Sequence, residues 1–119
     1  MKNILLIDDD LNEHKLFGAY VDHLAAGKCQ LHVATTLEEG VEKLSQMEFA
    51  SVFLDNRLRP YADFRETLPA ITKHSQDAKI YVISASINDE CFKLAPKFPE
   101  ITVIDKFVIR EKLKEGLLD

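Results

Sequence analysis

Four places in this 119-residue chain carry side chains that could act together on a charged group. Asp8, Asp9 and Asp10 follow the apolar run Asn3-Ile4-Leu5-Leu6-Ile7, and Asp55 ends Ser51-Val52-Phe53-Leu54. Ser84 ends Ile80-Tyr81-Val82-Ile83, and Lys106 follows Ile101-Thr102-Val103-Ile104-Asp105. Carboxylates gathered in one cleft repel one another, and some protonate unless a cation sits among them. Hard oxygen ligands with room for water suit Mg²⁺. A carboxylate beside Mg²⁺, with a hydroxyl and a lysine, makes a site for phosphoryl transfer, where the protein chiefly positions groups and neutralises charge. Asp55 is the expected nucleophile, because a carboxylate can form an aspartyl-phosphate. The plainer reading of Asp55 alone is a cap on the helix that follows.

These side chains meet only if the backbone brings distant strand ends to one edge. The run Ser51–Leu54 is continuously apolar and reads as a strand buried on both faces of a parallel sheet, with Asp55 at its carboxyl end. Asn3–Ile7, Gln30–Ala34, Ile80–Ser84 and Ile101–Ile104 read as four more strands. Between them lie helical patterns. Phe17, Tyr20, Val21 and Leu24 share one face of a first helix, with Asp10 as N-cap and Gly27 as the stop. Thr36-Leu37-Glu38-Glu39 is a capping box opening a second helix, with Leu37, Val41 and Leu44 inward. Asn56 to Ala62 reads as a loop. Phe64, Leu68 and Ile71 suggest a third helix interrupted or kinked by Pro69. Asn88 to Ala95 suggests a short fourth helix stopped by Pro96, and Ile109, Leu113 and Leu117 mark the last. Strand and helix alternate five times, which predicts an α/β fold: a doubly wound, five-stranded parallel sheet with right-handed crossovers and helices on both faces. In the flavodoxin-like order 2-1-3-4-5, strands one and three straddle the switch point, so Asp8, Asp9 and Asp55 would meet there. Residues 1–119 read as one domain without a linker.

Composition narrows the classes. With 46% hydrophobic and 29% charged residues the chain reads as globular, and a net charge of −5 argues against nucleic acid as a partner. No apolar stretch is long enough to span a membrane, and Asp8–Asp10 interrupt anything like a signal peptide. Cys29 and Cys91 lie far apart without metal-type spacing and read as reduced, buried thiols of a cytoplasmic protein. His14, His23, His32 and His74 lack metal-pair spacing and read as surface or packing residues. Arg57 and Arg59 either steer an acidic or phosphorylated partner or belong to a solvated loop. There is no Gly-rich phosphate loop.

Taken together, Asp8-Asp9 after strand one, Asp55 after strand three, Ser84-Ala85 after strand four and Lys106 after strand five resemble the response-regulator receiver domains of bacterial two-component signalling. The resemblance covers essentially the whole chain. It rests on four motifs in the right order, each weak alone. It implies that Asp55 accepts a phosphoryl group from a histidine kinase or histidine phosphotransferase. It implies that Asp8, Asp9, Asp55 and the backbone carbonyl of Arg57 hold Mg²⁺, with Asp8 acting directly or through water. Ser84 and Lys106 would contact the phosphoryl oxygens. Such a protein is not an enzyme in the ordinary sense, although it assists its own phosphorylation and dephosphorylation. As a single-domain regulator it would signal by binding a downstream protein or act as a phosphate sink.

Three features depart from the pattern. The family usually has a cis proline after its lysine, whereas here Phe107 follows; the Lys106–Phe107 bond is expected to be trans, because a cis bond before a non-proline costs roughly 2.5–4 kcal/mol. Lys106 would then reach the site by another loop path or sit poorly without phosphate. Val103 stands where the family often has an aromatic ring, so the switch is expected in the loop Ser84–Asp89 and the short fourth helix. Partners would then read the face made by that helix, strand five and the last helix. Pro60 falls one place later than usual in Asn56-Arg57-Leu58-Arg59-Pro60. Two other readings compete. Asp8-Asp9-Asp10 also fits the Asp-x-Asp signature of haloacid-dehalogenase-type phosphatases, with Asp8 as nucleophile and Asp10 as general acid; that family needs a later acidic pair, and Asp55 would have no role. A phosphorylation-independent adaptor on the same fold is the other.

Overall fold

The computed structural model describes residues 1–118. Five parallel strands, β1 (Lys2–Ile7), β2 (Cys29–Ala34), β3 (Ser51–Asp55), β4 (Lys79–Ser84) and β5 (Ile101–Asp105), form one sheet in the order β2-β1-β3-β4-β5. The α-helices are α1 (Leu11–Leu24), α2 (Leu37–Gln46), α3 (Phe64–His74) and α4 (Ile109–Lys114). The order is the one expected from the alternation of strand and helix.

Each central strand sends alternate side chains to opposite faces, so its apolar run divides into two cores. Leu5, Ile7, Val52, Leu54, Ile80 and Val82 pack under α2 and α3. Ile4, Leu6, Phe53, Tyr81, Ile83 and Ile104 pack under α1 and α4. On this second face Phe53 stacks on Tyr81 at 4.9 Å and meets Phe17 of α1 at 4.9 Å. Burying side chains of this size contributes roughly 1.5–3 kcal/mol each, which is why β1, β3 and β4 read as unbroken apolar runs. Gly40 lets α2 lie close on β1: a Cβ there would stand 2.5 Å from Ile7 Cδ1.

Local signals set most of the helix starts. Asp10, Thr36 and Asp63 cap α1, α2 and α3, each accepting a backbone N–H of the first turn. In the capping box Glu39 reaches back to the N–H of Thr35, one residue before the cap. Pro69 sits inside α3 without dividing it.

Three expected elements come out differently. α1 ends at Leu24, capped by Ala25, and Gly27 (φ +77°) serves the turn beyond. The fourth helix is not an α-helix over 88–95: it is a 3-10 helix over Glu90–Lys97, and Pro96 lies within it. Only Cys91 of the segment is buried, so it lacks the packing that would hold an α-helical turn geometry. The last helix stops at Lys114, so Leu117 packs from the turn that follows rather than from the helix face.

Candidate functional site

Strand parity brings the acidic residues together. β1 and β3 are in register with Ile7 opposite Leu54, and one step further along lie Asp8 and Asp55. Both continue the alternation of Leu6 and Phe53, which face α1 and α4, so their carboxylates emerge on the same side of the sheet edge. Asp8 is wholly enclosed, and Asp55 and Ser84 are buried. Asp8, Asp9 and Asp55 each present an oxygen, all within 4.8 Å of one another. They line a cleft of about 430 Å³ together with Arg57, Ser84 and Lys106.

Lys106 closes the group from β5. Its Nζ lies 3.2 Å from Asp55 Oδ1 and 3.3 Å from Asp8 Oδ2. The Lys106–Phe107 peptide is trans, as expected, and among the described residues Arg59–Pro60 is the cis bond. Lys106 is placed in the site in this structure, its ammonium against both carboxylates. Asp105 accepts the N–H of Phe107 at 2.9 Å and opens a single 3-10 turn over Lys106–Val108. That turn aims Lys106 inward and leaves Phe107 77% exposed.

The electrostatics follow from crowding. Burial pushes the Asp55 carboxyl up to about 6, the charge of Asp8 adds to the rise, and Lys106 only partly offsets them. Burial likewise raises Asp8, against the opposing pull of the Asp10 N–H and Lys106. Burial alone would lower Lys106, but the two carboxylates outweigh it and hold its ammonium above the ordinary lysine range. One ammonium therefore leaves negative charge uncompensated. Three carboxylates this close, all hard oxygen donors, fit a small divalent cation such as Mg²⁺.

Several contacts here were not legible in the sequence. His14, read as surface or packing, donates from Nε2 to the Asp8 carbonyl at 2.6 Å and so holds the turn that presents Asp8 and Asp9. Arg59 Nε lies 3.2 Å from Asp9 Oδ2, and Arg57 pairs with Asp89, so the two arginines border the cleft in ion pairs. Asn56 is wholly buried, its amide bonded to the Phe64 N–H and to Cys91. The available signal was a polar residue prolonging an apolar strand without a turn requirement of its own. Asp10, the general acid of the phosphatase reading, has its carboxylate engaged by the N–H of Asn12 at 2.9 Å as the α1 cap.

No protein-family model and no curated protein matches the chain. Solved structures do. The receiver domain of the sensor histidine kinase PA1611 from Pseudomonas aeruginosa, with a magnesium ion coordinated in its active-site cleft, aligns at TM-score 0.78 and 16% identity, over 98% of this chain and 93% of that one. The response regulator TrrA from Thermotoga maritima, in complex with Mg²⁺-BeF, aligns at TM-score 0.71 and 23% identity, over 97% of this chain and 98% of that one. A de novo designed Rossmann 2x3 protein also aligns, at TM-score 0.67 and 16% identity over 98% of this chain and 92% of that one. The chain thus has the fold of response-regulator receiver domains. A shared fold does not by itself carry chemistry, which must be argued from the side chains in the cleft.

Proposed function

We propose that this chain is a response-regulator receiver that takes a phosphoryl group from a phosphohistidine onto Asp55. The observation that carries the reading is the convergence of Asp8, Asp9, Asp55, Ser84 and Lys106 on one cleft at the carboxyl edge of the sheet. A carboxylate oxygen of Asp55 attacks phosphorus; the new O–P bond forms as the P–N bond breaks, and the imidazole nitrogen leaves with the electron pair. The attacking form is the ionised one, and with a carboxyl titrating at about 6 it predominates at neutral pH. Lys106, already against Asp55, neutralises charge on the phosphoryl oxygens, and the buried Ser84 hydroxyl at the end of β4 donates to one of them. Asp8, Asp9, Asp55 and the Arg57 carbonyl would hold Mg²⁺, which when bound supplies the remaining positive charge.

The donor is a histidine kinase or histidine phosphotransferase. The product is a covalent mark, read by a downstream protein or drained as a phosphate sink; the protein assists the reaction at its own acceptor rather than turning over a substrate. No described helix is long and apolar enough to cross a membrane, and we assign the protein to the cytoplasm, where such donors present their phosphohistidine. Two rivals are weaker. The phosphatase reading needs Asp10 as a free acid, and the adaptor reading leaves a complete acceptor cluster without use.

Incubation with Mg²⁺ and acetyl phosphate should add a single phosphate, absent in Asp55→Asn. Mass spectrometry placing the label on Asp8 or on a histidine would sink the reading. Sustained turnover of a small phosphomonoester would favour the phosphatase, and partner binding indifferent to Asp55→Asn would favour the adaptor.

A further inference from the structure

We propose that Asn56 is a positioning residue that couples the acceptor loop to the 3-10 segment Glu90–Lys97 through a buried junction with Cys91 and Phe64. The inference rests on the receiver reading above and adds the route by which the state of Asp55 reaches a surface element.

Asn56 follows Asp55 directly and is wholly enclosed. Its N–H donates to the Ile83 carbonyl at 2.9 Å, extending the β3–β4 ladder and fixing its main chain. Its side-chain Oδ1 accepts the N–H of Phe64, the first residue of α3, at 3.0 Å. Its Nδ2 donates to Cys91 Sγ at 3.6 Å. A buried amide left without partners costs about 1–3 kcal/mol, so this side chain keeps its orientation only while both contacts persist. On the other side of the same peptide, the Arg57 N–H bonds to the Asp55 carboxylate. Asn56 therefore lies one peptide away from the group whose charge and size change on phosphorylation.

The segment it touches is poorly held. Stretches of 3-10 helix longer than three or four residues are uncommon, because their hydrogen bonds are strained, and this one runs for eight with Pro96 inside. Cys91 is its one buried residue. Phe92 stacks on Phe64 at 5.6 Å, and Phe98, just past its end, meets the same ring edge-on at 5.2 Å. The inward anchors thus converge on Cys91 and Phe64, and the Asn56 amide bonds to both residues. A second tie runs parallel on the surface, the Arg57–Asp89 ion pair, with Arg57 largely exposed. Exposed pairs contribute little, so the buried tie is the one that transmits. A movement of the Asn56–Arg57 peptide would turn the amide and release the segment, whose single buried anchor makes it the easily shifted element here.

The test is hydrogen exchange over Glu90–Lys97, with Mg²⁺, before and after acetyl phosphate, with phosphate on Asp55 counted by intact mass. In the unsubstituted protein exchange should change at least about threefold on phosphorylation. Cys91→Ala should take phosphate to the same extent and lose most of that response. Cys91→Ser should restore it, because the hydroxyl also accepts the amide N–H, and Asp89→Asn should keep it. A purely structural role for Asn56 predicts the same response in Cys91→Ala as in the unsubstituted protein, and that result overturns the coupling. So does loss of the response in Asp89→Asn with retention in Cys91→Ala, or no change in an unsubstituted protein that is fully phosphorylated. Absence of any mass shift in the unsubstituted protein is a separate signal: it brings down the receiver reading, and the coupling with it.

Discussion

A carboxyl raised by burial and by a neighbouring charge costs the folded state stability wherever it is ionised. For Asp55 the folded value is about 6 against an ordinary 3.8, so between those values the folded protein binds more protons than the unfolded chain. Stability therefore falls as pH rises through that window, and the full cost is present above it. Asp55→Asn removes the charge and keeps the shape. In metal-free buffer at about pH 7.5 it should raise the thermal midpoint by several degrees, on the order of 2 kcal/mol, and the gain should vanish near about pH 4. A midpoint unchanged by the substitution across this range would mean that the carboxylates are not in conflict. Lys106 shows how much a single side chain depends on its approach. With the ordinary trans bond to Phe107, Asp105 caps the turn that points Lys106 inward.

At the scale of elements, the site depends on how closely α2 lies on β1 and how firmly β5 holds Lys106. Gly40→Ala places a methyl 2.5 Å from Ile7 Cδ1 and 3.0 Å from Cγ1, and Ile7 is wholly enclosed, so it must shift against packed neighbours. Overpacking of this kind costs about 1–3 kcal/mol and outweighs the gain of up to about 1 kcal/mol in helix propensity. Urea unfolding should show a lower midpoint with an unchanged slope. On β5, Val103 is half-buried and β-branched, with no ring to swing. Val103→Ala should cost about 1 kcal/mol and leave phosphorylation by acetyl phosphate intact. If it instead abolished the response of Glu90–Lys97 at full phosphorylation and normal stability, β5 would be the switch.

Across the whole molecule, the acidic cleft stores a repulsion that a bound dication relieves. The unfolded chain offers no such cluster, so Mg²⁺ should stabilise the protein by mass action, about 1.4 kcal/mol at tenfold its dissociation constant. The thermal midpoint should climb over the millimolar range, and less steeply in Asp9→Asn, which removes the negative charge of one of the three groups whose oxygens lie within 4.8 Å. A midpoint flat in Mg²⁺ would count against the cluster as a metal site.

Local sequence carried far in this chain. Apolar runs of strand length, separated by capped amphipathic stretches, determined five parallel strands and which polar residues end them. Those strand ends are the candidate site, so Asp8, Asp9, Asp55, Ser84 and Lys106 were legible because each needs only its own strand to be placed. What the tertiary structure decided are contacts between segments far apart in the chain. The path of Lys106 to Asp8 and Asp55, the hold of His14 on the Asp8 carbonyl and the Asn56 junction depend on register and packing, to which no periodicity is tied. The 3-10 geometry of Glu90–Lys97 is the same case in reverse. Its sequence permits a helix, but only Cys91 of it is buried and Pro96 lies within it, and the neighbours Asn56 and Phe64 set where it rests.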